Sequence, residues 1–170
     1  MTIRRLDPAE AQAAASALAD VLVDCVEGGA SVSFMAGLGH GEAKAFWRKE
    51  AAAGDGRAIL VAEDDSGLVG VVQLIPAWPP NQPHRADVSK LLVHRRARGR
   101  GVGEALMRAL EDQARAMGRT LLVLDTVTGE AGERLYARLG WTRLGVIPDF
   151  ALFPDGRPCP TTVFYKAVGA

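Results

Sequence analysis

The sequence predicts an α+β fold, with a central mixed, mostly antiparallel sheet between layers of helix in an α/β/α sandwich. Three observations predict it. Apolar stripes of helical period alternate with short apolar runs. Ala58 to Ile75 reads as a hairpin. One strand–loop–helix–strand unit lies at the centre of the chain, from Arg85 to Leu124. With 170 residues, the chain can bury roughly 70% of its unfolded surface around one core, so residues 1–170 are expected to form a single domain.

Thr2 to Leu6 reads as the first strand. A helix follows at Asp7-Pro8-Ala9-Glu10, where Asp7 caps, Pro8 fits the first helical position and Glu10 reaches back as in a capping box. Leu18, Val21, Leu22, Cys25 and Val26 form one stripe of this helix, and Gly28-Gly29 ends it. Gly41 to Ala53 is a second helix that stops at Gly54. Ala58 to Glu63 and Leu68 to Ile75 are strands joined by the turn Asp64-Asp65-Ser66-Gly67. Pro76 to Pro83 carries four prolines and is a loop. Arg85 to His94 is a strand. A basic glycine-rich loop leads from it into a helix with Val102, Leu106, Ala109, Leu110 and Met117 inside. Leu121 to Leu124 is continuously apolar, as in strands covered on both faces. A short helix, Ala131 to Leu139, precedes three further strands at Trp141–Val146, Ala151–Phe153 and Thr161–Val168.

Twenty basic and 20 acidic residues leave no formal net charge, which excludes a generally basic nucleic-acid binder and gives no reason for an acidic membrane partner. Ala13 to Val26 is interrupted by Asp20 and Asp24, so it cannot span a bilayer. The start of the chain leads into no apolar export segment, and a cytoplasmic location is expected. Cys25 and Cys159 are too few and too far apart for a disulfide framework. His40, His84 and His94 lack metal-ligand spacing, so no metal is expected. Trp47 and Trp78 read as core or loop packing. Cys25 reads as an inert part of its stripe, and Cys159 as exposed between prolines. The last strand reads as an exposed surface for a homodimer.

The most informative stretch is Arg95-Arg96-Ala97-Arg98-Gly99-Arg100-Gly101-Val102-Gly103, between a strand and a helix. Glycines let the backbone approach a ligand, and the helix that follows points free N–H groups and a positive dipole end at the same place. Such a loop is suited to phosphate or diphosphate. A Walker A loop needs Gly-Lys followed by Ser or Thr, which is absent. A dinucleotide fingerprint starting at Gly99 needs glycine at position 104, where Glu104 stands.

The spacing Arg98-x-x-Gly101-x-Gly103 resembles the acyl-CoA loop of the GCN5-related N-acetyltransferase (GNAT) superfamily. Gly28–Met35, Arg85–Val88, Leu124–Thr126 and Pro154–Arg157, followed by Pro160-Thr161, look like segments of the tabtoxin-resistance acetyltransferases. The resemblance implies a GNAT-like fold and acetyl-CoA as co-substrate, with transfer to the amine of a small toxin, antibiotic or amino-acid-like metabolite. It implies that Arg98, Gly99, Arg100, Gly101, Val102 and Gly103 hold the CoA diphosphate. Leu91, Leu92 and Val93 would pair by their backbone with the pantetheine arm, and one of their amides would hold the oxyanion.

Transfer to an alkyl amine with a pKa near ~10 requires removal of a proton. Similarity to the tabtoxin-resistance type makes Asp87 and Asp125 the candidates for that base. Asp87 reads equally as a partner of Lys90 or Arg85, and Asp125 as a cap near Thr126 and Thr128. Family resemblance also makes Tyr136 the acid toward the leaving thiolate; it reads otherwise as a core aromatic beside Leu135 and Leu139. Ser31, Phe34 and Met35 are expected to close over the acceptor, unless Ser31–Met35 is an ordinary interhelix connection. Two other readings remain: a peptide or protein N-acetyltransferase, and a non-catalytic acyl-CoA sensor.

Overall fold

A computed structural model describes residues 1–169 of the chain. The elements run β1 (Thr2–Leu6), α1 (Pro8–Ala13), α2 (Ala15–Glu27), α3 (His40–Ala51), β2 (Ala58–Asp64), β3 (Gly67–Pro76), β4 (Arg85–Val93), a 3-10 turn (Arg95–Ala97), α4 (Val102–Ala116), β5 (Leu121–Val127), α5 (Ala131–Arg138), β6 (Thr142–Leu152) and β7 (Pro158–Ala167). The strands form one sheet in the order β1-β2-β3-β4-β5-β7-β6. Every neighbouring pair is antiparallel except β4 with β5. The expected mixed, mostly antiparallel sheet is therefore present.

Local chemistry sets the ends of these elements. Asp7 Oδ1 accepts from the Glu10 N–H at 2.8 Å while Glu10 Oε2 accepts from the Asp7 N–H at 2.8 Å, completing the capping box. The expected single first helix is divided at Ala14 into α1 and α2. Alternation along the strands feeds two cores. Leu60, Val72, Leu74 and Leu122 pack with Leu106, Met107 and Leu110 of α4 on one face. Val61, Val71 and Leu92 pack with Leu18, Leu22 and Trp47 of α2 and α3 on the other. α5 lies on the α4 side through Tyr136.

Two sequence readings of the last strands change. Trp141–Val146 and Ala151–Phe153 merge into the long β6, because the break around Pro148 and Asp149 is taken up as an irregular register between Ile147 and Ala151. The last strand, β7, is not exposed: it lies between β5 and β6, so β6 is the edge strand at this end of the sheet. Cys159 is buried at 1% exposure, and Trp78 is 90% exposed on its proline-rich loop, both contrary to expectation. Among the described residues, no helix is long and apolar enough to cross a membrane, and no cluster of His, Cys, Asp and Glu could hold a metal ion.

Candidate active site

The parallel pair β4–β5 is the origin of the site. It is hydrogen-bonded only where Arg85, Ala86 and Asp87 face Leu121, Leu122 and Val123. Beyond that point, Val88–Val93 and Asp125–Val127 line the two walls of a cleft of about 960 Å³. A strand that leaves its neighbour exposes a row of N–H and C=O groups able to pair with an extended ligand. The departure has a local cause. The register of β3 against β4 shifts between Val71 and Gln73, so Lys90 and Leu91 together oppose Val72, and Lys90 takes φ 52°. A bulge of this kind bends its strand and increases its twist.

The loop after β4 forms one end of the cleft, where Arg98, Gly99, Gly101, Val102 and Gly103 all line it. Gly101 has φ 78°, a left-handed conformation that costs a residue with a side chain about 1–2 kcal/mol, and it directs the chain into α4. The first N–H of this helix to find a main-chain partner is that of Ala105, which donates to the Gly101 carbonyl at 3.0 Å. The N–H groups of Val102, Gly103 and Glu104 therefore face the loop end as free donors at the positive end of the dipole. An anion such as a diphosphate suits this place.

The loop arginines divide in two groups. Arg95 N–H and Nε donate to Asp24 at 2.7 and 2.8 Å, tying the loop to the end of α2. Desolvation pushes the Asp24 carboxyl up, but the Arg95 hydrogen bonds and the charge of His94 outweigh it and hold the group below its ordinary value. Arg96 donates to the Leu68 carbonyl at 3.0 Å, and Arg100 pairs with Asp64 at 2.9 Å. Ser66 foremost, and then Arg100, lower Asp64 to about 2. Arg98 alone of these arginines lines the cleft, held by its Nε on the Val93 carbonyl at 3.2 Å. Arg100, counted with the diphosphate residues from the sequence, is turned to Asp64 instead.

Asp125 and Tyr136 sit together in the cleft. Asp125 follows the apolar run of β5 and accepts from Thr161 Oγ1 at 3.2 Å. Tyr136 is 5% exposed, with its ring 5.9 Å from those of Trp141 and Phe164. It is thus a core aromatic, one of the two readings from the sequence, and it also lines the cleft. Burial, and then the charge of Asp125, raise its hydroxyl above the ordinary tyrosine value, so it stays protonated. Gly132 sets how close α5 lies to β5: a Cβ there would be 2.6 Å from Thr126 Oγ1 and 3.5 Å from Tyr136 Cε2.

Asp87 is not brought to this group. It lies in the paired stretch of β4, beneath the opening, and its carboxylate takes Arg85. That is one of the partners read from the sequence.

Ser31, Phe34 and Met35 all line the cleft, on the connection from α2 to α3. The connection is anchored: Ser31 Oγ donates to the Leu152 carbonyl at 2.7 Å, and the Ala36 N–H donates to the Pro154 carbonyl at 3.0 Å. Phe34 stands edge-on to Phe46 with centroids 5.2 Å apart. Lys90, Thr126 and Phe150 also line the cleft, where the sequence had assigned them no site role. Only Lys90 left a signal, as a cation before the apolar Leu91-Leu92-Val93. Its environment lowers its pKa through desolvation, against the charges of Glu50 and Asp125.

Residues 31–141 match the model of the acetyltransferase (GNAT) family. The chain is 34% identical over 87 residues to N-acetyltransferase 8F1 of Rattus norvegicus, covering 50% of this chain and 39% of that one. It is 35% identical over 101 residues to the L-methionine sulfoximine/L-methionine sulfone acetyltransferase of Pseudomonas paraeruginosa, covering 58% of this chain and 59% of the relative. The matched parts thus span about half the length of these curated relatives. In fold, the chain is similar to yncA of Salmonella typhimurium, solved with its cofactor acetyl-CoA, at a TM-score of 0.79 and 23% identity over 99% of this chain and 94% of that one. The open β4–β5 pair, the glycine loop before α4 and the family match lead to one conclusion: the chain belongs to the acetyltransferase (GNAT) family.

Proposed function

We propose that the protein transfers an acetyl group from acetyl-CoA to the amine of a small molecule, in a single ternary complex. The observation that carries this reading is one continuous cleft that includes the α4 turn, the unpaired stretch of β4, Asp125 and Tyr136. The N–H groups at the start of α4, with Arg98, hold the CoA diphosphate. The backbone of Leu91 to Val93 receives the pantetheine arm and supplies an amide to the developing oxyanion. Asp125 takes the proton that the attacking nitrogen loses as its bond to the acetyl carbon forms. Tyr136 gives a proton to the sulfur as the carbon–sulfur bond breaks.

A small acceptor is favoured over a peptide by the anchored connection around Ser31 to Met35, which lines the cleft. The relative named for L-methionine sulfoximine and L-methionine sulfone supports an amino-acid-like or toxin-like acceptor. Unpaired Cys25 and Cys159 fit a reducing cytoplasm. The test is a panel of small amines, with L-methionine sulfone and a tabtoxin-type amine included, scored by release of free CoA. Amine-dependent release with an N-acetylated product is the expected result. Acetyl-CoA binding without turnover on any amine would instead identify an acyl-CoA sensor, and turnover confined to peptides would identify a protein acetyltransferase.

A further inference from the structure

Lys90 is the one cation on the β4 wall of the cleft, and its state is unusual. Its side chain is half-buried, and a lysine partly withdrawn from water is commonly matched by a carboxylate. Here Nζ donates to a neutral hydroxyl, Ser33 Oγ, at 3.0 Å and lies 5.7 Å from the centre of the Phe46 ring. Among the described residues, no carboxylate pairs with it directly. The two nearby acids have other partners: Glu50 takes Gln73 Nε2 at 2.8 Å and Arg57, and Asp125 takes Thr161 at 3.2 Å.

The backbone on both sides of this contact is strained. Lys90 has φ 52° and Ser33 has φ 78°, neither residue being glycine. Such conformations persist where the surrounding fold imposes them, often at ligand sites. The bulge that opens β4 from β5 is thus the feature that holds Lys90 at the cleft, and Ser33 steers its ammonium. An ammonium has three donors, and Ser33 occupies one.

We propose that Lys90 is the anion-binding residue of the acceptor site, and that the acceptor carries a carboxylate as well as its amine. The carboxylate meets Lys90 on the β4 wall while the amine is presented to Asp125 on the β5 wall. The inference rests on the transferase reading for the amine, whereas the anion subsite depends only on Lys90, Ser33 and the bulge.

The test has a kinetic arm and a binding arm. In the first, each carboxylate-bearing amine of the panel is compared with its own carboxamide in the parent protein and in Lys90→Met, Lys90→Gln and Lys90→Arg. The parent is expected to favour the acid by about tenfold or more in kcat/KM, the range of a hydrogen bond to a charged group. Lys90→Met and Lys90→Gln are expected to lose that preference without a change in acetyl-CoA affinity, and Lys90→Arg to retain it. In the second arm, calorimetry in the presence of CoA compares N-acetyl-L-methionine with N-acetyl-L-methioninamide, expecting the same Lys90-dependent preference. Equal treatment of acid and amide by the parent, or an acid preference that survives in Lys90→Gln, overturns the proposal. Lys90-dependent binding of the acid with no transfer to any amine keeps the subsite and defeats the transferase reading instead.

Discussion

Replacing Tyr136 by phenylalanine removes one oxygen atom from the cleft and leaves the ring. The ring contacts, at 5.9 Å to Trp141 and 5.9 Å to Phe164, are unchanged by the substitution. Among the described residues no group hydrogen-bonds the Tyr136 hydroxyl, so its loss orphans no donor or acceptor. Stability should therefore change by less than about 1 kcal/mol. The catalytic consequence is of another size. Loss of a general acid lowers kcat by about 10² to 10⁴, which is roughly 3–5 kcal/mol of barrier. The assay is continuous detection of the released CoA thiol on the best amine of the panel, with acetyl-CoA affinity measured separately by calorimetry. Unchanged affinity with the kcat loss is expected. An unchanged kcat in Tyr136→Phe would refute the proton-donor argument and leave the residue as packing alone. Tyr136→Ala separates the two roles, because it also removes the ring and should cost about 3–5 kcal/mol of stability.

Other outcomes follow from neighbouring features. Lys166 Nζ donates to both Glu111 oxygens at 2.8 Å, and Trp141 Nε1 donates to Oε1 at 3.1 Å. Lys166→Met leaves the Glu111 carboxylate, 7% exposed, without its main cation and is expected to cost about 3–5 kcal/mol in urea unfolding. Asp64 is lowered from 3.8 to about 2 in the folded chain, chiefly by Ser66 and then by Arg100. A carboxylate depressed in the folded state stabilises it above the unfolded pKa, so this contribution is full above pH ~4 and disappears as pH falls toward ~2. Asp64→Asn should flatten the urea midpoint across that window; a parent-like slope would contradict the assignment. Gly132→Ala puts a carbon 2.6 Å from Thr126 Oγ1 and must displace α5 or Thr126. It is expected to lower kcat more than it weakens acetyl-CoA binding, as read by the same thiol assay and calorimetry.

Legibility in the sequence follows the range of the interactions involved. The glycine-rich turn into α4 was readable because its determinants are local: glycine at 101 for a left-handed turn, and a helix beginning at Val102. The cap at Asp7 was readable for the same reason. Asp87 and Asp125 could not be separated, since each is a carboxylate on a strand next to apolar residues. Their difference lies in where β4 and β5 cease to pair, which depends on the bulge at Lys90 and on no residue type at either aspartate. The bulge left no trace, because lysine rather than glycine holds the positive φ. The anchoring of Ser31 on Leu152 joins residues far apart in the chain, so the sequence offered only a loop. Cys159 appeared exposed between two prolines, yet β7 carries it into the sheet interior. Arg100 resembles Arg98 in sequence, and only the nearness of Asp64 turns it away from the cleft.

The central claim is that the turn from Gly99 to Gly103 holds the diphosphate of CoA. Calorimetry of CoA beside pantetheine, which lacks the diphosphate, tests it most directly in the parent and in the double variant Arg98→Ala, Gly101→Asp. The added carboxylate would lie at the helix N-terminus, where it competes with the ligand. CoA affinity is expected to fall by about 100-fold or more, the scale of losing several charge-assisted hydrogen bonds, while pantetheine affinity stays the same. CoA binding that is equally strong in the parent and in the double variant would contradict the account.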